Sequence, residues 1–370
     1  MLQPFSAGRR HVPRSVCRRS GLPESARALV MGRTLLMLVL VGTAGAAQGD
    51  VFKGTPLAGA RVTMVGRSLA LGLIVGSATT MDGSVLLVDK SVSRVFRITA
   101  QGDLAVTYGR AGDGPGEFRL PYRVTELSDG SVLVFDLANQ RFSEFSRDGR
   151  FVKRWATSAD IVSLTDIVSL GARSFAISGI VRDPRAGAHA VHIFDSTFRL
   201  IRSFGDLPSA RSAIALETIG SGGLRRTPSG ELLYSRRFPY ELHWYDETGT
   251  QRRKATVNKP VLATADGMLA VTSSGMTVTT RFRRDIAYAG FGTPLPDRRI
   301  ISGRQDGLVA YWDILDDTGR VLWSGRRPSQ VSGYIGPGSI GGDRTKQFLW
   351  FSGQTGSGEP VLYRITLAEH

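Results

Sequence analysis

Two stretches of the chain carry the same alternation of apolar and polar positions. Residues 82–102 read DGSVLLVDKSVSRVFRITAQG and residues 129–149 read DGSVLVFDLANQRFSEFSRDG, and the two align without a gap at an offset of 47. In each, an Asp-Gly pair, Asp82-Gly83 or Asp129-Gly130, reverses the chain. A nearly continuous apolar run follows, Val85 to Val88 or Val132 to Phe135, which predicts a strand buried on both faces. Asp89 or Asp136 ends that run, where a short carboxylate can accept N–H groups of the next turn. Asn139 falls in the Asp-x-x-Asn turn, a position that suits a left-handed backbone. Arg94–Ile98 and Arg141–Phe145 alternate and predict a further strand. A second turn, at Gly102 or Gly149, leads to an outer strand ending at Tyr108 or Trp155.

A unit of this length and content is the size of one four-stranded propeller blade. The run GDGPGEFRLP, Gly112 to Pro121, lies between the two units. Gly112, Gly114 and Gly116 imitate a phosphate loop, but no GxxxxGK[ST] is present and no strand-then-helix setting surrounds them. They read as connector glycines that carry the chain from the outer strand of one blade to the inner strand of the next. Phe118 is expected between blades, and Pro121 is expected to begin the inner strand, where a missing N–H is tolerated.

The text from Gly109 to Trp155, GRAGDGPGEFRLPYRVTELSDGSVLVFDLANQRFSEFSRDGRFVKRW, resembles the NHL-repeat family of β-propellers: Gly-rich connector, Pro, Asp-Gly, strand, Asp-x-x-Asn-x-Arg and Gly. The likeness is fair for residues 62–108 and decays beyond Trp155. It implies an all-β, six-bladed propeller of four-stranded antiparallel blades and, for a bacterial member, an exported protein without an assigned activity. Weaker units are traced at residues 170–205, 228–250, 305–323 and 342–366, which makes six. The long interval from Gly249 to Asp306 holds either an inserted hairpin of the fifth blade or an extra blade, so seven blades stay open.

The N-terminus reads differently. In residues 31–47, MGRTLLMLVLVGTAGAA, a basic Arg33 precedes an apolar run from Leu35 to Val41 and the small-residue site Ala44-Gly45-Ala46. These are the parts of a secretory signal peptide, and the run is too short to span a membrane. The expected organisation is therefore an unstructured leader or start-site artefact over 1–30, a signal peptide over 31–46, and one propeller domain over 47–370. The protein is expected to be exported to the periplasm or beyond, as a monomer with no transmembrane segment in the mature chain.

Cleavage changes the charge picture. The full chain carries 47 basic and 32 acidic residues, net +15. Residues 1–46 hold seven of the arginines and one glutamate, which leaves 40 basic and 31 acidic residues, net +9. The excess is mostly arginine and is scattered rather than concentrated on one stretch, so nucleic acid is disfavoured as a partner. The lone Cys17 excludes an intrachain disulfide framework and any multi-cysteine metal site.

Chemistry is sparse. His189, His192, His243 and His370 are the only histidines after the leader; His192 and His243 fall at corresponding places on predicted third strands, away from the axis. Asn139 and Asn258 are the only asparagines. Neither the channel histidines of a zinc lyase nor the acidic-plus-asparagine cluster of a calcium lactonase is legible, and no GxSxG elbow precedes a helix. No catalytic residue, metal or cofactor is assigned. The candidate binding residues lie at the beginnings of the inner strands: Tyr122, Arg123, Asp166, Arg225 and Arg226, with Tyr240 at the rim. Arg123, Arg225 and Arg226 sharing one electropositive rim would attract an anionic small molecule or polysaccharide; the plainer alternative is that the tyrosines pack between blades and the arginines bridge them. The leading function is a non-enzymatic ligand- or protein-binding scaffold. A lactonase- or lyase-like hydrolase is the first rival, which three or more carboxylates at one channel mouth would favour. A nucleic-acid-binding propeller is the second.

Overall fold

The computed structural model describes residues 52–57, 60–65, 69, 71–156, 160–207, 216, 222–237, 239–257, 269–274, 277–282, 288–306, 309–339 and 347–366. Residues 1–46, expected to be leader and signal peptide, lie outside them, as does Asn258. Gln48–His370 forms a single compact unit.

Six four-stranded antiparallel sheets follow one another along the chain. Blade 1 spans Ile74–Tyr108, blade 2 Pro121–Trp155, blade 3 Asp160–Asp206, blade 4 Gly223–Thr256 and blade 5 Tyr288–Arg326. Blade 6 takes three strands from the C-terminus, Val331–Ser339, Gln347–Gln354 and Pro360–Thr366, and its fourth from the N-terminus. That fourth strand, Arg61–Val65, pairs antiparallel with Pro360–Thr366 and ties the two ends of the domain together. The first strands of successive blades touch in a closed cycle, blade 6 returning to blade 1, so they form the inner ring. The architecture is a six-bladed β-propeller. Among the described residues the interval after Gly249 contributes a hairpin, Leu269–Ser274 with Thr277–Phe282, and no seventh four-stranded sheet.

Burial follows strand position. The second strands, such as Val85–Asp89 and Val132–Asp136, are wholly buried, whereas the fourth strands, such as Phe151–Trp155, are largely exposed. The apolar runs are continuous because a second strand packs against both neighbouring blades. Blades 1 and 2 meet over Leu86, Val88, Phe118, Val134 and Phe145. Phe118 is fully buried there, 5.6 Å from the Phe145 ring. A Cβ on Gly109 would lie 2.1 Å from the Phe118 ring, so the connector needs glycine at that crossing.

The repeated aspartates hold the connectors. Asp136, fully buried, accepts the backbone N–H groups of Arg119 and Leu120 at 3.0 Å and the side-chain amide of Asn139 at 2.7 Å. Asp89 accepts the N–H of Gly72 at 2.6 Å and of Ser91 at 2.9 Å. In the glycine loop, Gly112 and Gly116 have positive φ, and the Gly114 N–H donates to the Glu117 carboxylate at 2.7 Å. Glu117 in turn pairs with Arg110. The loop closes on its own carboxylate.

Candidate functional site

The inner ring is irregular at one level. The first strands of blades 1, 2 and 3 each bulge beside Gly76, Arg123 and Asp166, which face Val88, Phe135 and Ser178 of their second strands. The three residues therefore occupy equivalent positions in adjacent blades. A bulge re-aims the side chain beside it. At Gly76 no side chain fits: a Cβ would stand 2.4 Å from the Tyr122 carbonyl oxygen.

Arg123 uses the space. Its Nε donates to the Thr165 carbonyl of blade 3 at 2.6 Å, and its Nη1 donates to the Val75 carbonyl of blade 1 at 2.5 Å and to Tyr122 O at 2.9 Å. The guanidinium also lies 3.9 Å over the Tyr122 ring. Burial holds its pKa below the usual arginine range. One side chain thus staples three blades through backbone carbonyls. Asp166 continues the chain of fasteners. Its carboxylate accepts the Leu224 N–H of blade 4 at 3.2 Å and pairs with the Arg225 guanidinium.

Above this level the ring opens into a cavity of about 780 Å³, at the ends of the first strands where they turn back into the second. That volume lies within the ordinary range of small-molecule sites. Blades 1 and 2 contribute hydroxyls, Ser77, Thr79 and Thr125, together with Glu126. Blade 3 contributes Asp166 and the aliphatic Ile167 and Val168; blade 4 contributes Arg225 and Arg226. Prolines 294 and 296 and Ile335 complete the wall on blades 5 and 6. Each first strand is the edge strand of its sheet on the side facing the axis, so its unpaired backbone groups also face that space.

Of the residues expected from the sequence, Asp166, Arg225 and Arg226 come together on this cavity. Tyr122, Arg123 and Tyr240 do not line it. Tyr240 is 5% exposed and packs with Leu233, Trp244, Ile300 and Leu315 between blades 4 and 5, where burial pushes its phenol pKa up. The three arginines do not share a rim: Arg123 serves backbone carbonyls, Arg225 pairs with Asp166, and Arg226 pairs with Glu247. Arg123 lies near the beginning of Pro121–Glu126, whereas Arg225 and Arg226 end the strand Gly223–Arg226, at the level where the cavity opens.

Glu126 is the residue that the sequence reading passed over. Only 2% of its side chain is exposed; it pairs with Arg97 of blade 1 at 2.9 Å and accepts the Met81 N–H at 2.7 Å. Its signal was the lone carboxylate at the end of the inner strand PYRVTE. His192 and His243 lie at equivalent, buried places on third strands, opposite Ile177 and Tyr234. Burial lowers the His192 pKa to about 4. Its Nδ1 meets Ser203 at 2.8 Å, and its Nε2 faces the Gly179 carbonyl at 3.3 Å. His243 sits 3.0 Å from Glu241 inside blade 4. Among the described residues, no three His, Cys, Asp or Glu side chains are grouped to hold a metal ion.

The fold and cavity define a six-bladed propeller with an open central pocket. No protein-family model matches the chain, and no curated protein matches it. Solved structures do. A protein of Bacteroides fragilis, provisionally described as exported, superposes with a TM-score of 0.60 at 11% identity, over 83% of this chain and 95% of its own. A Bacteroides vulgatus protein gives 0.52 at 8% identity, over 83% and 97%. A gluconolactonase from Xanthomonas campestris gives 0.46 at 12%, over 83% and 95%. At such identities likeness extends to the fold alone.

Proposed function

We propose that the protein is an exported, NHL-like propeller that captures a ligand in the central cavity without turning it over. The observation that carries this reading is the cavity together with the state of its carboxylates. Glu126 and Asp166 both line it, and both are engaged by a guanidinium and a backbone N–H. A general base needs a lone pair within reach of substrate, and a nucleophile needs an activating base beside it. Both carboxylates are committed to structural partners, and among the described residues they are two where three would favour a hydrolase. Export rests on the Arg33, Leu35–Val41 and Ala44-Gly45-Ala46 sequence. No helix among the described residues is long and apolar enough to cross a membrane.

The reading is checked by thermal-shift screening of a broad small-molecule and oligosaccharide panel, with product analysis of every hit. Ser169 lines the cavity, and Ser169→Trp places a bulky ring in it. The expected result is a stabilising ligand that is recovered unchanged and lost in Ser169→Trp. A hit converted to product makes the protein an enzyme. A hit retained by Ser169→Trp puts the site elsewhere.

A further inference from the structure

The charges around the cavity are of two kinds. Glu126–Arg97 and Asp166–Arg225 are ion pairs whose side chains are 2% and 3%, and 9% and 22%, exposed. Taking either pair apart would strand a buried charge. Arg226–Glu247 differs, since its side chains are 43% and 45% exposed. Glu247 is not a lining residue; it reaches Arg226 from the turn after the third strand of blade 4. An exposed pair of this kind contributes little and is screened by salt. A ligand anion can therefore replace Glu247 on Arg226 at small cost, whereas it cannot replace Glu126 or Asp166.

Beyond Thr227 and Thr293, the lining that follows Arg226 around the ring is apolar. Pro228 follows it on blade 4, and Pro294, Pro296 and Ile335 line the cavity on the next two blades. A rigid proline surface offers contact area without loss of side-chain entropy. Among the described residues no aromatic ring lines the cavity, so these residues offer no flat stacking platform for a sugar face.

Together these features identify the class of ligand. We infer that the cavity takes an amphipathic monoanion: one carboxylate or sulfonate exchanged onto Arg226, with an uncharged apolar body along Pro228, Pro294, Pro296 and Ile335. Among the described lining residues one cation is exchangeable, which selects a monoanion over a dianion, whose second charge would meet Glu126 or Asp166. This narrows the anionic ligand expected from the sequence to a small amphipathic one. It rests on the reading of the cavity as a binding site.

Two fluorescent probes with similar bodies test it: anilinonaphthalene sulfonate, a monoanion, and the uncharged phenylnaphthylamine. The sulfonate is expected to bind one to one, to be displaced by decanoate, and to weaken with salt. Arg226→Gln should weaken it about tenfold or more and leave phenylnaphthylamine within a factor of about two. Glu247→Gln removes the internal competitor and should tighten the sulfonate by up to about fivefold. Because the sulfonate also binds partly unfolded chains, the gain counts only at one-to-one stoichiometry and with native circular dichroism melts for both variants. Equal affinity for the two probes, with neither substitution altering the sulfonate, overturns the monoanion while leaving cavity binding in place. Failure of both probes to bind also overturns it. Sulfonate binding that survives Ser169→Trp instead removes the cavity from the account.

Discussion

The junction between blades 1 and 2 turns on one buried guanidinium. Arg97 donates to Glu126 of blade 2 at 2.9 Å and to Asp82 of its own blade at 3.0 Å; the Arg97 and Glu126 side chains are 3% and 2% exposed. At the next junction the same set of groups recurs with the cation moved. Glu144, 47 residues after Arg97, takes the place of the arginine, and Arg173 of blade 3 bridges it to Asp129. Each junction is thus one arginine between two carboxylates, supplied by the earlier blade in one case and by the later blade in the other. In Glu126→Gln, Arg97 stays buried with Asp82 as its remaining carboxylate, and Asp82 is 34% exposed. Breaking a buried pair from one side costs about 3–5 kcal/mol. The surviving Asp82 contact places this case at the low end, about 3 kcal/mol. At roughly 2 °C per kcal/mol for a domain of this size, Tm falls by about 6 °C. Replacing both partners with apolar residues, Arg97→Met with Glu126→Leu, should recover most of the loss, because no charge is then stranded. Calorimetric melts of the two singles and the double decide. If Glu126→Gln costs less than about 1 kcal/mol, or if the double is as unstable as the sum of the singles, the junction is not held by a buried ion pair.

Further outcomes follow from the same contacts. Because burial holds His192 neutral, its contribution to stability is fully present above the unfolded pKa near 6.5 and is lost as pH falls from about 6.5 toward 4. The loss amounts to about 3 kcal/mol at acid pH; His192→Gln should flatten stability between those values, and an unchanged profile contradicts the assignment. Asp136→Ala should cost about 1–3 kcal/mol through two orphaned connector N–H groups, with Asp89→Ala similar; melts showing both neutral would dismiss the turn role. Arg123→Ala should destabilise by about 3 kcal/mol without altering ligand affinity, so an affinity loss with an unchanged melt would return Arg123 to the binding site. Intact-mass measurement of the exported protein should give a chain beginning at Ala47, and recovery of the uncleaved chain in the cytoplasm would refute export.

How much of this could be read from the chain depended on the range of the interaction. The 47-residue repeat exposed blades 1 and 2 because Asp-Gly turns, apolar runs and connector glycines are local signals. The blade-closing strand Arg61–Val65 was invisible, since its partner Pro360–Thr366 lies at the other end of the domain. The hairpin at Leu269–Phe282 could not be separated from an extra blade, because two strands and four look alike until their pairing is known. At the site, sequence position brought Asp166, Arg225 and Arg226 forward but could not show that Asp166 neutralises Arg225. Nor could it show a bulge that turns Arg123 onto the carbonyls of its neighbours. Glu126 was passed over for the same reason: its partner, Arg97, belongs to a different blade.

The central claim is that the cavity holds a ligand and leaves it intact. Native mass spectrometry of the protein, isolated from the exported fraction and incubated with extract of the producing culture, addresses it directly. The account predicts one bound small molecule per chain, negatively charged when released, identical in mass to the same compound in the untreated extract, and absent from Ser169→Trp. A chain that stays empty, or a compound that is depleted from the extract while a product accumulates, contradicts it.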